Sequence, residues 1–163
     1  ETAIRIVKDS AQAWYINPND VSIMGFSAGG HLASTVATHA QPELRPKFQI
    51  LFYPVITMDK NYTHLGSHDN FLGKKANKKL ETLFSNEKQV NANTSPAFIT
   101  LAADDKVVPP ANGINYFQAL IRHNVYATLH VYPTGNHGWG YSNSYKFNKV
   151  ILDELTLWLS QIN

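Results

Sequence analysis

Ser27 stands within Gly25-Phe26-Ser27-Ala28-Gly29, a G-x-S-x-G arrangement that can hold a serine hydroxyl at the tip of a sharp strand-to-helix turn. In such a turn the strand and helix backbones nearly touch, which predicts that Gly25 and Gly29 tolerate no side chain. The helix N-terminus and the Ala28 N–H are then expected to face the oxyanion that forms when Ser27 attacks a carbonyl. A hydroxyl nucleophile needs a base, and the base needs an orienting acid. His137, in Gly135-Asn136-His137-Gly138-Trp139-Gly140, can take the Ser27 proton and return it to a leaving alcohol. Asp104 and Asp105, in Ala103-Asp104-Asp105-Lys106-Val107-Val108-Pro109, both sit where an acid could fix the imidazole tautomer. Each segment alone is short enough to arise by chance. Their shared order, Ser then Asp then His, gives the set its weight.

Elements that could position these residues follow from apolar periodicity. Ile4, Val7, Ala11 and Trp14 predict an amphipathic helix over the first 14 or so residues, ended by Asn17-Pro18-Asn19-Asp20. Val21-Ser22-Ile23-Met24-Gly25 predicts a buried strand, followed by a helix over 29–39 with Leu32 and Val36 inward. Further strands are expected at 48–53, 96–101 and 128–132. Helices are expected at 111–122, with Ile114, Phe117, Leu120 and Ile121 inward, and at 145–162, with Val150, Leu155, Trp158 and Leu159 inward. Between 54 and 95 the chain predicts an irregular, lid-like insert with one short helix near 78–84. Alternating strands and helices imply an α/β fold with a parallel sheet and helices on both faces. All three chemical segments then lie at strand C-terminal ends, where open α/β sheets build their sites.

Composition removes several other classes. The 163 residues, 44% hydrophobic, suffice for one packed domain and exclude intrinsic disorder. Lys+Arg of 14 against Asp+Glu of 12 gives no basic surface for nucleic acid. No apolar run reaches the roughly 18 residues of a membrane span. The lack of cysteine excludes thiol nucleophiles and thiolate metal sites. His64, His68 and Asp69 lack metal-ligand spacing and read as part of a loop near the mouth of the site, so neither metal nor cofactor is expected. His31 reads as a packed, hydrogen-bonded histidine. Trp139 and Tyr141 either line a substrate pocket or cover the sheet.

Over nearly its whole length the chain resembles the later half of an α/β-hydrolase of the bacterial esterase/lipase type, and within it the acetyl esterase and acetyl-xylan esterase branch. The resemblance rests on Ile23-Met24-Gly25-Phe26-Ser27-Ala28-Gly29-Gly30-His31-Leu32-Ala33, Tyr53-Pro54-Val55-Ile56, Gly66-Ser67-His68-Asp69-Asn70-Phe71-Leu72-Gly73, Ser85-Asn86-Glu87, the Asp105 segment and Tyr132-Pro133-Thr134-Gly135-Asn136-His137-Gly138. It implies a catalytic triad of Ser27, Asp105 and His137, with the Ala28 N–H in the oxyanion hole. That family places its acid three residues before the valine of the Val-Pro pair, which selects Asp105 over Asp104. It also implies an acetyl ester substrate, carried on a carbohydrate such as acetylated xylan, and a periplasmic or secreted location.

The same resemblance makes the four strands the fifth to eighth of an eight-stranded order. The upstream strands and the glycine-rich loop that supplies a second oxyanion donor are then missing. The expectation is a fragment of a longer hydrolase, with its first strand an open edge prone to self-association and its activity weakened. Two alternatives stay open: a serine peptidase of the prolyl-oligopeptidase type, and a catalytically silent module.

Overall fold

The computed structural model describes residues 1–140 and 142–162. Four parallel strands, β1 (Ile23–Phe26), β2 (Gln49–Phe52), β3 (Ala97–Ala102) and β4 (Ala127–Tyr132), lie side by side in chain order. Register pairs Gly25 with Leu51, Leu51 with Ile99 and Ile99 with Leu129, so β1 and β2 end level with Thr100 and β3 and β4 run two residues further. Each parallel step needs a crossover, and the connections carry α2 (Ala28–His39), α3 (Leu65–Leu72), α4 (Lys78–Leu83) and α5 (Ala111–Arg122). Helix α1 (Thr2–Asp9) precedes β1, and α6 (Asn148–Gln161) follows β4. This is an α/β fold, a four-stranded parallel sheet with helices on both faces.

Alternation along β2 and β3 sends side chains to two cores. Leu51, Ala97 and Ile99 pack with Ala33 of α2 and with Tyr116, Ala119 and Leu120 of α5. Ile50, Phe52 and Phe98 pack on the other face with Ile151, Leu155 and Trp158 of α6. Both central strands are therefore buried on both faces, which explains their continuous apolar runs. Gln49, fully buried in β2, is matched by Tyr116: its amide donates to the Tyr116 oxygen at 3.0 Å and to the Ser95 carbonyl at 2.9 Å.

Several expected details differ. The first helix stops at Asp9; residues 10–15 form turns, Tyr15 takes φ of 54°, and Trp14 stays exposed while Ala11 is buried. In α2 the inward residues are Gly30, His31, Ala33, Ser34, Ala37 and Thr38, whereas Leu32 is 66% exposed. A helix that leaves a strand through a sharp turn lies too close to the sheet for large side chains, so small residues face inward. Val36 packs sideways against the cluster of Ile4, Ala40 and Leu44. In α5 the inward set includes Tyr116 and Ala119, and Ile121 is exposed; in α6 Ile151 is buried and Val150 exposed.

The region between β2 and β3 is far more ordered than its composition implies. Helix α3 was invisible to periodicity because Gly66, Ser67, Asp69 and Asn70 are poor helix formers. His64 rescues it as the N-cap, accepting from the Ser67 N–H. Asn77 caps α4 in the same way. Buried polar side chains then fasten the region to the helices flanking the sheet. Asn112 of α5 accepts from the N–H groups of Ile56 and Thr57 and donates to the Tyr62 carbonyl. Asn86 donates to the His31 carbonyl and to Ser34 Oγ on α2.

Phe98, fully buried against Trp158 and His130, tests the core facing α6. Phe98→Ala is expected to cost about 3–5 kcal/mol of stability. The measurement is the urea midpoint at unchanged slope.

Candidate active site

β1 ends at Phe26, and the chain reverses into α2 within one residue. Ser27 occupies φ 52°, ψ −122°, a strained conformation for a residue with a Cβ, costing on the order of 1–3 kcal/mol. Ties to the end of β2 hold it there: the Ser27 N–H donates to the Phe52 carbonyl at 3.0 Å, and the Val55 N–H donates to the Ser27 carbonyl at 3.0 Å. Ser27 is formally the N-cap of α2, yet its hydroxyl makes no capping bond. The strain turns the hydroxyl away from the helix and leaves it for another partner.

That partner is His137. Its Nε2 lies 2.8 Å from Ser27 Oγ, and its Nδ1 lies 2.7 Å from Asp105 Oδ2. A carboxylate only accepts, so Nδ1 carries the proton donated to Asp105 and Nε2 is left to accept from Ser27. Asp105 has a 1% exposed side chain, and its other oxygen accepts from the Val107 and Val108 N–H groups at 2.9 Å each. These two bonds are the local reason for the Asp-Lys-Val-Val-Pro segment: they turn the carboxylate so that one oxygen is spent on its own loop. Ala28 opens α2, where a first-turn N–H has no acceptor within the helix. The structure thus gathers Ser27, Asp105, His137 and Ala28 at the C-terminal end of the sheet.

Asp104 does not reach the imidazole. It accepts from the Asn136 N–H at 2.7 Å, so the adjacent carboxylates face different parts of the histidine loop. Tyr53, at the end of β2 with φ of 36°, packs its ring edge-on to His137 at 4.6 Å between centroids. Burial pushes the Tyr53 hydroxyl up, and a bond from the Gly140 backbone opposes that shift. Sequence reading missed this residue's contact with His137; its place just past a buried strand was the available signal.

A cavity of about 400 Å³ opens beside Ala28, lined also by His31, Leu32, Thr35, Met58 and Phe71 among others. Leu32 and Phe71, both more than half exposed, give it an apolar wall. Trp139 does not line it; it is buried against Phe52, Tyr53 and Tyr145 and covers the sheet. Tyr141 lies outside the described residues.

A model of the prolyl oligopeptidase family matches residues 3–163. The chain belongs to that family. The chain is 47% identical to an acetylxylan esterase of Xylanibacter ruminicola over 99% of its own length, and 36% identical to an endo-1,4-beta-xylanase B of Butyrivibrio fibrisolvens over 90%. It spans 35% and 25% of those curated relatives. Among solved structures, an acetyl ester-xyloside bifunctional hydrolase from Caldicellulosiruptor lactoaceticus superposes with a TM-score of 0.92 at 34% identity, covering 98% of this chain and 63% of that one. A carboxylesterase from Lactobacillus plantarum gives 0.74 at 27% identity, with 98% and 62% covered.

Three other histidines of this family member have partners of their own. His31 bonds the Phe84 carbonyl through Nε2 at 2.8 Å, and burial holds its pKa below the usual histidine range. His68 is fully buried between Asp69 at 2.9 Å and Glu81 at 3.2 Å, while His64 caps α3. Among the described residues no cluster of three or more histidine, aspartate or glutamate side chains could hold a metal. No helix among them is long and apolar enough to cross a membrane.

The glycine requirement falls differently from expectation. A Cβ on Gly25 would collide with the Gly29 carbonyl, and one on Gly30 would come within 2.6 Å of Pro54 Cβ. One on Gly29 would meet nothing within 4 Å. Gly25→Ala and Gly30→Ala are therefore expected to lower the melting temperature sharply. Gly29→Ala should hold it or raise stability by up to about 1 kcal/mol through helix propensity. Thermal unfolding monitored by circular dichroism distinguishes the three.

Proposed function

We propose that the chain carries the nucleophile, base and acid of a carboxylic ester hydrolase that removes small acyl groups, acetyl above all, from carbohydrate such as acetylated xylan. The observation that carries this reading is the continuous relay from Ser27 Oγ through the His137 ring to Asp105, with distances of 2.8 and 2.7 Å. In the first half-reaction Ser27 Oγ attacks the ester carbonyl carbon and its proton passes to His137 Nε2. The resulting oxyanion takes a hydrogen bond from the Ala28 N–H and a share of the positive end of α2. The carbon–oxygen bond to the sugar then breaks, His137 delivers the proton to the departing alcohol, and an acyl-enzyme remains on Ser27. A water molecule then loses a proton to His137 and attacks the acyl carbon; the bond from that carbon to Ser27 Oγ breaks, His137 returns the proton to Ser27, and the carboxylic acid leaves.

The relay alone is compatible with amide as well as ester cleavage, and the family takes its name from a peptidase. Esters are favoured by two of the relatives, which are named as an acetylxylan esterase and an acetyl ester-xyloside hydrolase. The apolar cavity beside Ala28 is compatible with an acyl group or with the face of a sugar ring. The expected products from acetylated xylo-oligosaccharide are acetate and the free sugar. Faster cleavage of a proline-linked peptide substrate than of any acetyl ester would instead establish the peptidase reading.

Ser27→Ala is expected to abolish both acetate release and labelling by a fluorophosphonate probe. Asp105→Asn should lower kcat on the order of 10³–10⁴-fold by favouring the wrong tautomer of His137. Asp104→Asn, which keeps an oxygen for the Asn136 N–H, should cost far less. Equal losses in the two aspartate variants, measured by steady-state acetate release, would overturn the assignment of the acid.

A further inference from the structure

His137 lies on a segment that cannot hold its own shape. Gly135, Asn136, Gly138 and Gly140 all have positive φ, at 155°, 50°, 81° and 46°. Glycine at such positions has the largest conformational entropy to lose on folding, so the loop depends on bonds from outside. On one side Tyr145 donates its hydroxyl to the Thr134 carbonyl at 2.9 Å. Burial, with the Asp104 charge nearby, pushes that hydroxyl up to about 12, so it remains a donor. On the other side are two bonds that cross to the acid loop. Asp104 Oδ1 accepts from the Asn136 N–H at 2.7 Å, and Asn136 Oδ1 accepts from the Lys106 N–H at 3.1 Å.

These bonds bracket Asp105 and His137. Asp104 and Lys106 are the two chain neighbours of the acid, and Asn136 immediately precedes the base. Asn136 supplies one donor and one acceptor to the opposite loop, and asparagine is among the residues that enter left-handed backbone most readily. We propose that Asp104 and Asn136 are positioning residues, which join the acid loop and the base loop into one unit and thereby set the His137 ring between Asp105 and Ser27. Neither touches the reacting atoms. The inference rests on the hydrolase reading for its kinetic consequence, but the bracket itself has a readout that does not.

The test uses 4-nitrophenyl acetate turnover together with proton NMR of the His137 Nδ1–H, whose bond to Asp105 gives a low-field signal. Asp104→Ala is expected to lower kcat about 10- to 100-fold, the scale of a small misplacement of a reacting group, with KM within about twofold. Its low-field signal should broaden or disappear. Asp104→Asn should restore both, because its amide oxygen still accepts. Asn136→Gly keeps the backbone conformation and removes only the bond to Lys106, so it separates loss of the bracket from misfolding; it should reproduce the kcat loss of Asp104→Ala in part. Combining the two should cost less than the product of the single losses, because both remove one device.

Unchanged kcat and an unchanged low-field signal in Asp104→Ala would overturn the proposal. So would an Asp104→Asn variant as impaired as Asp104→Ala, since the carboxylate charge would then matter and the acceptor would not. If the parent chain shows no turnover above Ser27→Ala, the hydrolase reading fails by itself. The low-field signal in Asp104→Ala then still decides the bracket.

Discussion

The contact on which the site depends is the near-touching of two backbones where β1 gives way to α2. Gly25 meets the Gly29 carbonyl, and Gly30 lies against Pro54, so neither has space for a Cβ. That proximity forces Ser27 into positive φ and keeps its hydroxyl from capping the helix it precedes. It also brings the end of β2 close enough to bond both the N–H and the carbonyl of Ser27. Strain at one residue is thus held by bonds from the neighbouring strand. Without β2 the elbow has no reason to persist.

The same proximity governs the packing of α2. A helix so close to its sheet must present Gly30, Ala33 and Ala37 inward, and its larger Leu32 is left on the wall of the cavity beside Ala28. Polar residues share the inner face because each finds a partner. Ser34 and Thr38 donate to carbonyls one turn back, and His31 bonds the Phe84 carbonyl after α4. The region between β2 and β3 is therefore anchored to the elbow helix from beneath. Asn86 makes a second anchor, through the His31 carbonyl and Ser34. A segment with the composition of a loose lid is held by buried hydrogen bonds, which are costly to leave unmade.

Adjacent aspartates illustrate how a short segment can serve two ends. Asp105 turns inward because its own loop supplies two N–H donors to one oxygen and leaves the other for His137. Asp104, one residue earlier, points toward the backbone of the opposite loop. The pair reads as a redundancy in sequence and as a division of labour in space.

What the sequence determined by itself was the four strands with most of the helices between them, and the three segments at strand ends. Buried parallel strands are continuous apolar runs, and the elbow, the Asp-Lys-Val-Val-Pro turn and the glycine-rich histidine loop are local signals with local causes. Helix α3 and the inward face of α2 escaped notice because both are decided by packing, against the residue types that ordinarily mark a helix and its buried side. Which glycines are indispensable was likewise undetermined, because Gly30 owes its constraint to Pro54, a residue beyond the following strand. Ser27, Asp105 and His137 were legible as candidates. That the relay closes at hydrogen-bonding distance was decided only by the tertiary structure, since its members are separated by up to 110 residues and their meeting depends on strand register and on bonds between loops.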